Sequence, residues 1–137
     1  LKNKNMATTI AQLTLTSTDL LSDTLALSTV ASITAAHTSG LNRKKVIKTA
    51  VHADALVVYT ADDFAAPANI YIKNTAAYHA SNNIIYVYND TTSGDPVILK
   101  LHGGAFAFMP TNADKTLKAY SSTANTVVEY MVIGTDQ

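Results

Sequence analysis

The sequence predicts an all-β fold: a single antiparallel β-sandwich, jelly-roll or immunoglobulin-like, with an extended N-terminal arm. Three observations predict it. In the last third, Val97 to Ile133, apolar and polar residues alternate at period two between evident turns, the mark of strands with one buried face. From Leu56 onward such runs recur about every 8 to 12 residues, and their connections are too short for crossover helices, which argues against a parallel α/β sheet. Charged residues make up only 15% of the chain, against about 25% in typical globular proteins, and Thr, Ala, Ser and Asn fill the polar positions. Strands and turns use that mixture, whereas exposed helices use Glu, Lys and Arg.

At 137 residues the chain is long enough for one hydrophobic core. The reading places an extended arm or edge strands over residues 1–40 and the sandwich over 41–137. In the arm, Leu13 and Leu15, then Leu25, Leu27, Ala31 and Ile33, occupy alternate positions on either side of the stretch Ser17-Thr-Asp-Leu-Leu-Ser-Asp23. This spacing and the many threonines favour strands, although Ser22 and Asp23 ahead of Leu25 can also cap a short helix. No aromatic residue precedes Tyr59. An arm limited to small and medium side chains suits docking on another surface better than forming a core of its own.

After a turn signal at Ser39-Gly40 comes the single basic cluster, Arg43, Lys44 and Lys45 with Lys48. Its functional reading is contact with a phosphate or an acidic surface; its plainer reading is a solvated loop leading into a strand. Leu56–Tyr59, Ile70–Lys73 and Ile84–Tyr88 read as strands, with Thr60 to Pro67 and Asn74 to Asn83 as loops. Asn89 to Pro96 is the strongest turn and joins Ile84–Tyr88 to Val97–Leu101 as a hairpin. Beyond it lie strands at Ala105–Pro110, Leu117–Tyr120 and Val127–Ile133.

Formal net charge is zero, so the chain has little long-range field for nucleic acid or an anionic membrane, and copies associate without repulsion. With no cysteine, disulfides and thiolate metal sites are excluded. The basic N-terminus lacks a following apolar stretch, so neither a signal peptide nor a transmembrane helix is expected. Leu1 in first place points to an unusual start codon or a processed end, with Met6 as an alternative start.

Candidate chemistry is sparse. His37, His52, His79 and His102 lack metal-binding spacing, and His102 before Gly103-Gly104 reads as a turn residue. Asp90 to Asp95 has the oxygen-rich look of a calcium loop without its ligand spacing, and Asp62-Asp63 stands alone. Glu129, the only glutamate, has no visible carboxylate partner for acid–base work, and nucleophile-elbow and phosphate-loop motifs are missing. Catalytic, cofactor and metal sites are therefore all expected to be none, and the chain is read as a non-enzyme. Six tyrosines, Tyr71, Tyr78, Tyr86, Tyr88, Tyr120 and Tyr130, offer a sugar-binding platform, but strand tyrosines more often pack the ring inside.

The run Gly103 to Pro110, then Leu117-Lys-Ala-Tyr120, then Val127 to Ile133, resembles small virion proteins of tailed phages, marine and cyanobacterial ones in particular. Ile70 to Asn74 and the opening Met6-Ala-Thr-Thr with its Leu-x-Leu strands fit the same layout. The resemblance implies a capsid decoration or cement protein, made in the host cytoplasm and carried on the virion surface. It would bridge major capsid protein subunits and contact copies of itself, without nucleic acid, membrane or cofactor. A tail, neck or fibre component is the alternative, and a glycan-binding module a more distant one. Within this reading the expected docking residues are Leu13, Leu15, Leu25, Leu27 and Ile33 of the arm, with Arg43, Lys44 and Lys45 as electrostatic contacts.

Overall fold

The computed structural model describes residues 7–20, 22–35, 37–38, 41–46, 55–61, 63–90, 96–111, 115–123 and 125–136. Among the described residues all regular structure is β, and every strand pairing is antiparallel. Contacts divide the chain into two compact units, Leu1–Ala36 and His37–Gln137.

The first unit is a two-stranded ribbon. Strand β1 (Ala7–Ser17) pairs with β2 (Leu25–Ala35) along their whole length, without a break in register. The helical alternative at Ser22 is thereby settled in favour of a strand. Ser17 starts the connecting loop: its Oγ donates to Asp19 Oδ1 at 3.0 Å and accepts from the Leu20 amide at 3.1 Å, a local side-chain turn of the kind serine favours.

The second unit is the sandwich. Its strands are β3 (His37–Thr38), β4 (Asn42–Val46), β5 (Leu56–Tyr59), β6 (Phe64–Asn74), β7 (Ile85–Asp90), β8 (Val97–Leu101), β9 (Phe106–Pro110), β10 (Thr116–Ser121) and β11 (Thr126–Asp136). The pairings are nested: β7 with β8, β6 with β9, β5 with β10 and β4 with β11. The chain thus forms one long hairpin of eight strands, which is rolled so that β7 also meets β10 and β6 also meets β11. The resulting sheets run β5-β10-β7-β8 and β4-β11-β6-β9, with the short β3 beside the far end of β11. This is the jelly roll, so of the two expected topologies the immunoglobulin-like one falls away.

Alternation explains the core. Leu117, Ala119 and Ser121 of β10 and Ile85 and Val87 of β7 point inward against Ile70 and Ile72 of β6 and Val128, Tyr130 and Val132 of β11. Several of these are fully buried, and each large aliphatic side chain contributes about 1.5–3 kcal/mol. Asn74, also fully buried, ties the end of β6 to the neighbouring loops. Its Nδ2 donates to the carbonyls of Asn83 (2.6 Å) and Leu101 (2.9 Å), and its Oδ1 accepts from the Ala76 amide at 3.0 Å. Beside it, Gly103 lies so close to the Ala77 carbonyl that a Cβ would sit 2.0 Å from the oxygen, and Gly104 takes φ 82°. The turn expected at His102-Gly103-Gly104 is there, and only glycine fits both positions.

Two local expectations are corrected. Phe64–Pro67, read as loop, belongs to β6: the register against β11 shifts between Ile133 and Thr135, and Pro67 falls in that irregularity, where no ladder bond is demanded of it. Arg43, Lys44 and Lys45 are not a loop before a strand but the body of β4. The turns at Ser39-Gly40 and residues 91–95, together with Met6, Lys48, His52, Asp62 and Asp95, lie outside the described residues.

Candidate docking surfaces

Strand pairing decides which arm residues share a face. In the ribbon Leu15 stands opposite Leu27, Leu13 opposite Thr29, Ser17 opposite Leu25 and Thr9 opposite Ile33. Cross-strand partners project to the same side, so Leu13, Leu15, Leu25, Leu27 and Ile33 all lie on one face, with Ala11 and Ala31 between them. The opposite face carries Gln12, Thr14, Ser28 and Ser32 around Ile10 and Val30. The apolar face is open: Leu13, Leu15 and Leu27 are 40%, 46% and 43% exposed, against 0% for Ile70, Ile72 and Val87 in the core. Neither strand contains a charged residue. The weak Leu-x-Leu repeat in the sequence is thus the two halves of one apolar stripe.

The basic residues have a different setting. β4 is an outer strand of its sheet and pairs with the N-terminal half of β11, Arg43 opposite Glu129 and Lys45 opposite Val127. Arg43 Nε donates a short ion-paired hydrogen bond to Glu129 Oε2, while the Tyr71 hydroxyl donates to Glu129 Oε1 at 2.9 Å. The Glu129 side chain is 12% exposed and both carboxylate oxygens are engaged within the sheet. Arg43, foremost, holds that carboxyl below its ordinary 4.5, with help from the Tyr71 bond. Partial burial, then the Glu129 bond, pushes the Tyr71 hydroxyl above its ordinary 10.0. Sequence reasoning missed this group, because Arg43 and Glu129 are 86 residues apart. Lys44 and Lys45 are exposed along the β4 edge.

Sequence reasoning also missed a second apolar surface. β8 and β9 are the outermost strands of their two sheets, at the end where the chain crosses from one sheet to the other through the His102–Gly104 turn. Val97 and Ile98 of β8 are exposed, and Phe106 and Phe108 of β9 are 60% and 40% exposed. The phenylalanines stand on the outer face opposite Lys73 and Tyr71, while Ala107 and Met109 pack on the core.

The remaining candidates are dispersed. Tyr86 and Tyr120 are cross-strand partners on the outer face of the other sheet, their rings stacked with centroids 5.0 Å apart, and Tyr88 lies tilted against Tyr120. Lys118 on the same face pairs with Asp90 at 2.7 Å, so Asp90 serves a strand rather than a cation loop. His79 Nδ1 accepts from the amides of Ser81 and Asn82, closing a turn, and His102 lies against Tyr78. Among the described residues no three His, Cys, Asp or Glu side chains group as a metal site. A shallow cleft of about 150 Å³ is walled by Val57, Val58, Val132, Tyr59 and Tyr130, with Asp63 at its margin. What the molecule offers chemically is apolar surface on strand faces and edges.

No known protein family matches the chain, nor does any curated protein or any solved structure.

Proposed function

We propose that the protein is a structural component of a tailed-phage virion that decorates the capsid and stabilises it by bridging major capsid protein subunits. The ribbon is the observation that carries this reading. Its two long, uncharged strands gather every large aliphatic residue expected to dock onto one face, where Leu13, Leu15 and Leu27 are exposed and Leu25 and Ile33 half-buried. A lone two-stranded hairpin is marginal in water, so a covering surface supplies much of its stability. Jelly rolls serve capsid and lectin proteins alike, so the fold by itself decides between neither. Each copy buries modest area, and many copies on one shell add up to a stable coat. The coat sits on the virion surface after assembly in the host cytoplasm and uses no cofactor, nucleic acid or membrane.

The test is particle occupancy. The full-length triple variant Leu13→Asp, Leu15→Asp, Leu27→Asp should fold as the wild type does and fail to cosediment with capsids; unchanged occupancy refutes the proposal. A position on tail, neck or fibre would appear as a low copy number in a virion map. The Tyr86–Tyr120 stack keeps a glycan-binding reading in view, and a glycan array that is blank for the wild type removes it.

A further inference from the structure

We infer that the open side formed by β8 and β9 receives the β1–β2 ribbon of a second copy of this chain. The inference rests on the reading of the ribbon as a docking element and names the surface it docks on.

The two edges of the β4-β11-β6-β9 sheet are treated in opposite ways. On one side β4 carries Arg43, Lys44 and Lys45 in succession, the charged dressing that keeps an edge strand from pairing with another chain. On the other side β9, Phe-Ala-Phe-Met-Pro, carries no charge, and its two phenylalanines are among the most exposed apolar side chains of the sandwich. Beside it, β8 adds Val97 and Ile98. An undefended apolar edge next to a defended one in the same sheet is the pattern of a surface that is covered in use.

The occupant follows from charge and area. Among the described residues the ribbon has no charge on either strand and two unpaired edges, so it matches the charge-free strand β9, beside which β8 carries one lysine, Lys100, and it offers nothing to select a charged partner. With zero net charge, two copies approach without repulsion. Eleven residues per strand give a ribbon about 37 Å long and about 10 Å wide. One face is then about 370 Å², and laying it on a partner removes about 750 Å² in total, below the roughly 1,000 Å² that a specific interface needs. In a reciprocal dimer each copy gives one ribbon and receives one, so each buries about 750 Å² and the two contacts together remove about 1,500 Å², within the usual range. A single foreign partner covers only half of that.

Sedimentation velocity on the full-length chain tests this with two variants, Leu15→Asp/Leu27→Asp in the ribbon and Phe106→Lys/Phe108→Lys on β9, the latter giving β9 the dressing β4 already has. The wild type should be a closed oligomer and each variant alone a monomer. A mixture of the two can form one ribbon–edge contact, half the area of the wild-type dimer, so it should associate weakly, as a complex of one of each that grows with loading concentration while each variant alone stays monomeric, because the ribbon variant keeps an intact edge and the edge variant an intact ribbon. Restoration also shows that both variants are folded. If either variant loses its β-sheet circular dichroism, the milder pair Leu15→Thr and Phe108→Thr replaces it, with the same pattern expected. A monomeric wild type overturns the inference, and covers the case of a ribbon docked within its own chain. An edge variant that still associates overturns it in favour of ribbon pairing with ribbon, and a ribbon variant that still associates overturns it in favour of edge pairing with edge. Capsid occupancy is read separately: a monomeric chain that still needs its ribbon to coat particles sinks this inference alone, while an oligomer that coats particles without the ribbon sinks the capsid proposal alone.

Discussion

The ribbon and the jelly roll are written in the same code and have opposite fates. Both alternate apolar and polar residues at period two, and both pair antiparallel. In the roll, however, strands distant in sequence close over one another, so the apolar side of each sheet faces a second sheet and disappears from water. Among the described residues the two ribbon strands pair with one another, and Leu13, Leu15 and Leu27 of the stripe stay exposed. Alternation therefore specifies that a face exists; a second layer has to supply its cover.

Core substitutions should separate the two regions most. Ile72→Ala, at a fully buried position in β6, is expected to lower unfolding free energy by about 2–5 kcal/mol in urea titration. Leu15→Ala in the ribbon should fall within about 0.5 kcal/mol at protein concentrations low enough to keep the chain monomeric. Comparable losses at the two sites would mean that the ribbon face is covered in the isolated chain. Gly103→Ala comes next: the new Cβ meets the Ala77 carbonyl, the backbone must shift, and about 1–3 kcal/mol should be lost. Asn74→Ala, which strands the Asn83 and Leu101 carbonyls, should cost about 1–3 kcal/mol by the same titration.

The smallest expected effect concerns pH. Because Arg43 and Tyr71 hold the Glu129 carboxyl below its ordinary 4.5, the stability it adds is present at neutral pH and fades as pH falls through that lowered value. Wild type and Glu129→Gln should differ in melting temperature near pH 7 and converge in acid. Tyr71 has the opposite sense. Its raised pKa leaves the fold undisturbed below pH 10.0 and weakens it as pH climbs above, and Tyr71→Phe should blunt that alkaline loss. A difference that persists unchanged into acid would show that the carboxylate contributes nothing through its charge.

Legibility differed along the chain for identifiable reasons. Leu56–Tyr59 and Val97–Leu101 were readable to the residue because β-branched and aliphatic runs ended in clear turns. Phe64–Pro67 was hidden because Asp62, Asp63 and Pro67 resemble a loop, and only pairing with β11 reveals a strand with an irregular register. In β9, Phe and Ala alternate without a polar residue to mark the outside, so the sequence could not say that the phenylalanines face outward.

By itself the sequence determined the all-β character, most strand positions, the glycine turn and the five aliphatic residues of the arm, because period-two spacing and turn chemistry are local properties. The tertiary structure decided the nested pairing that makes a jelly roll, the joining of Arg43, Tyr71 and Glu129, and the contrast between a basic edge and an aromatic one. Those depend on which distant strands meet and which neighbour is missing, and a one-dimensional pattern contains neither.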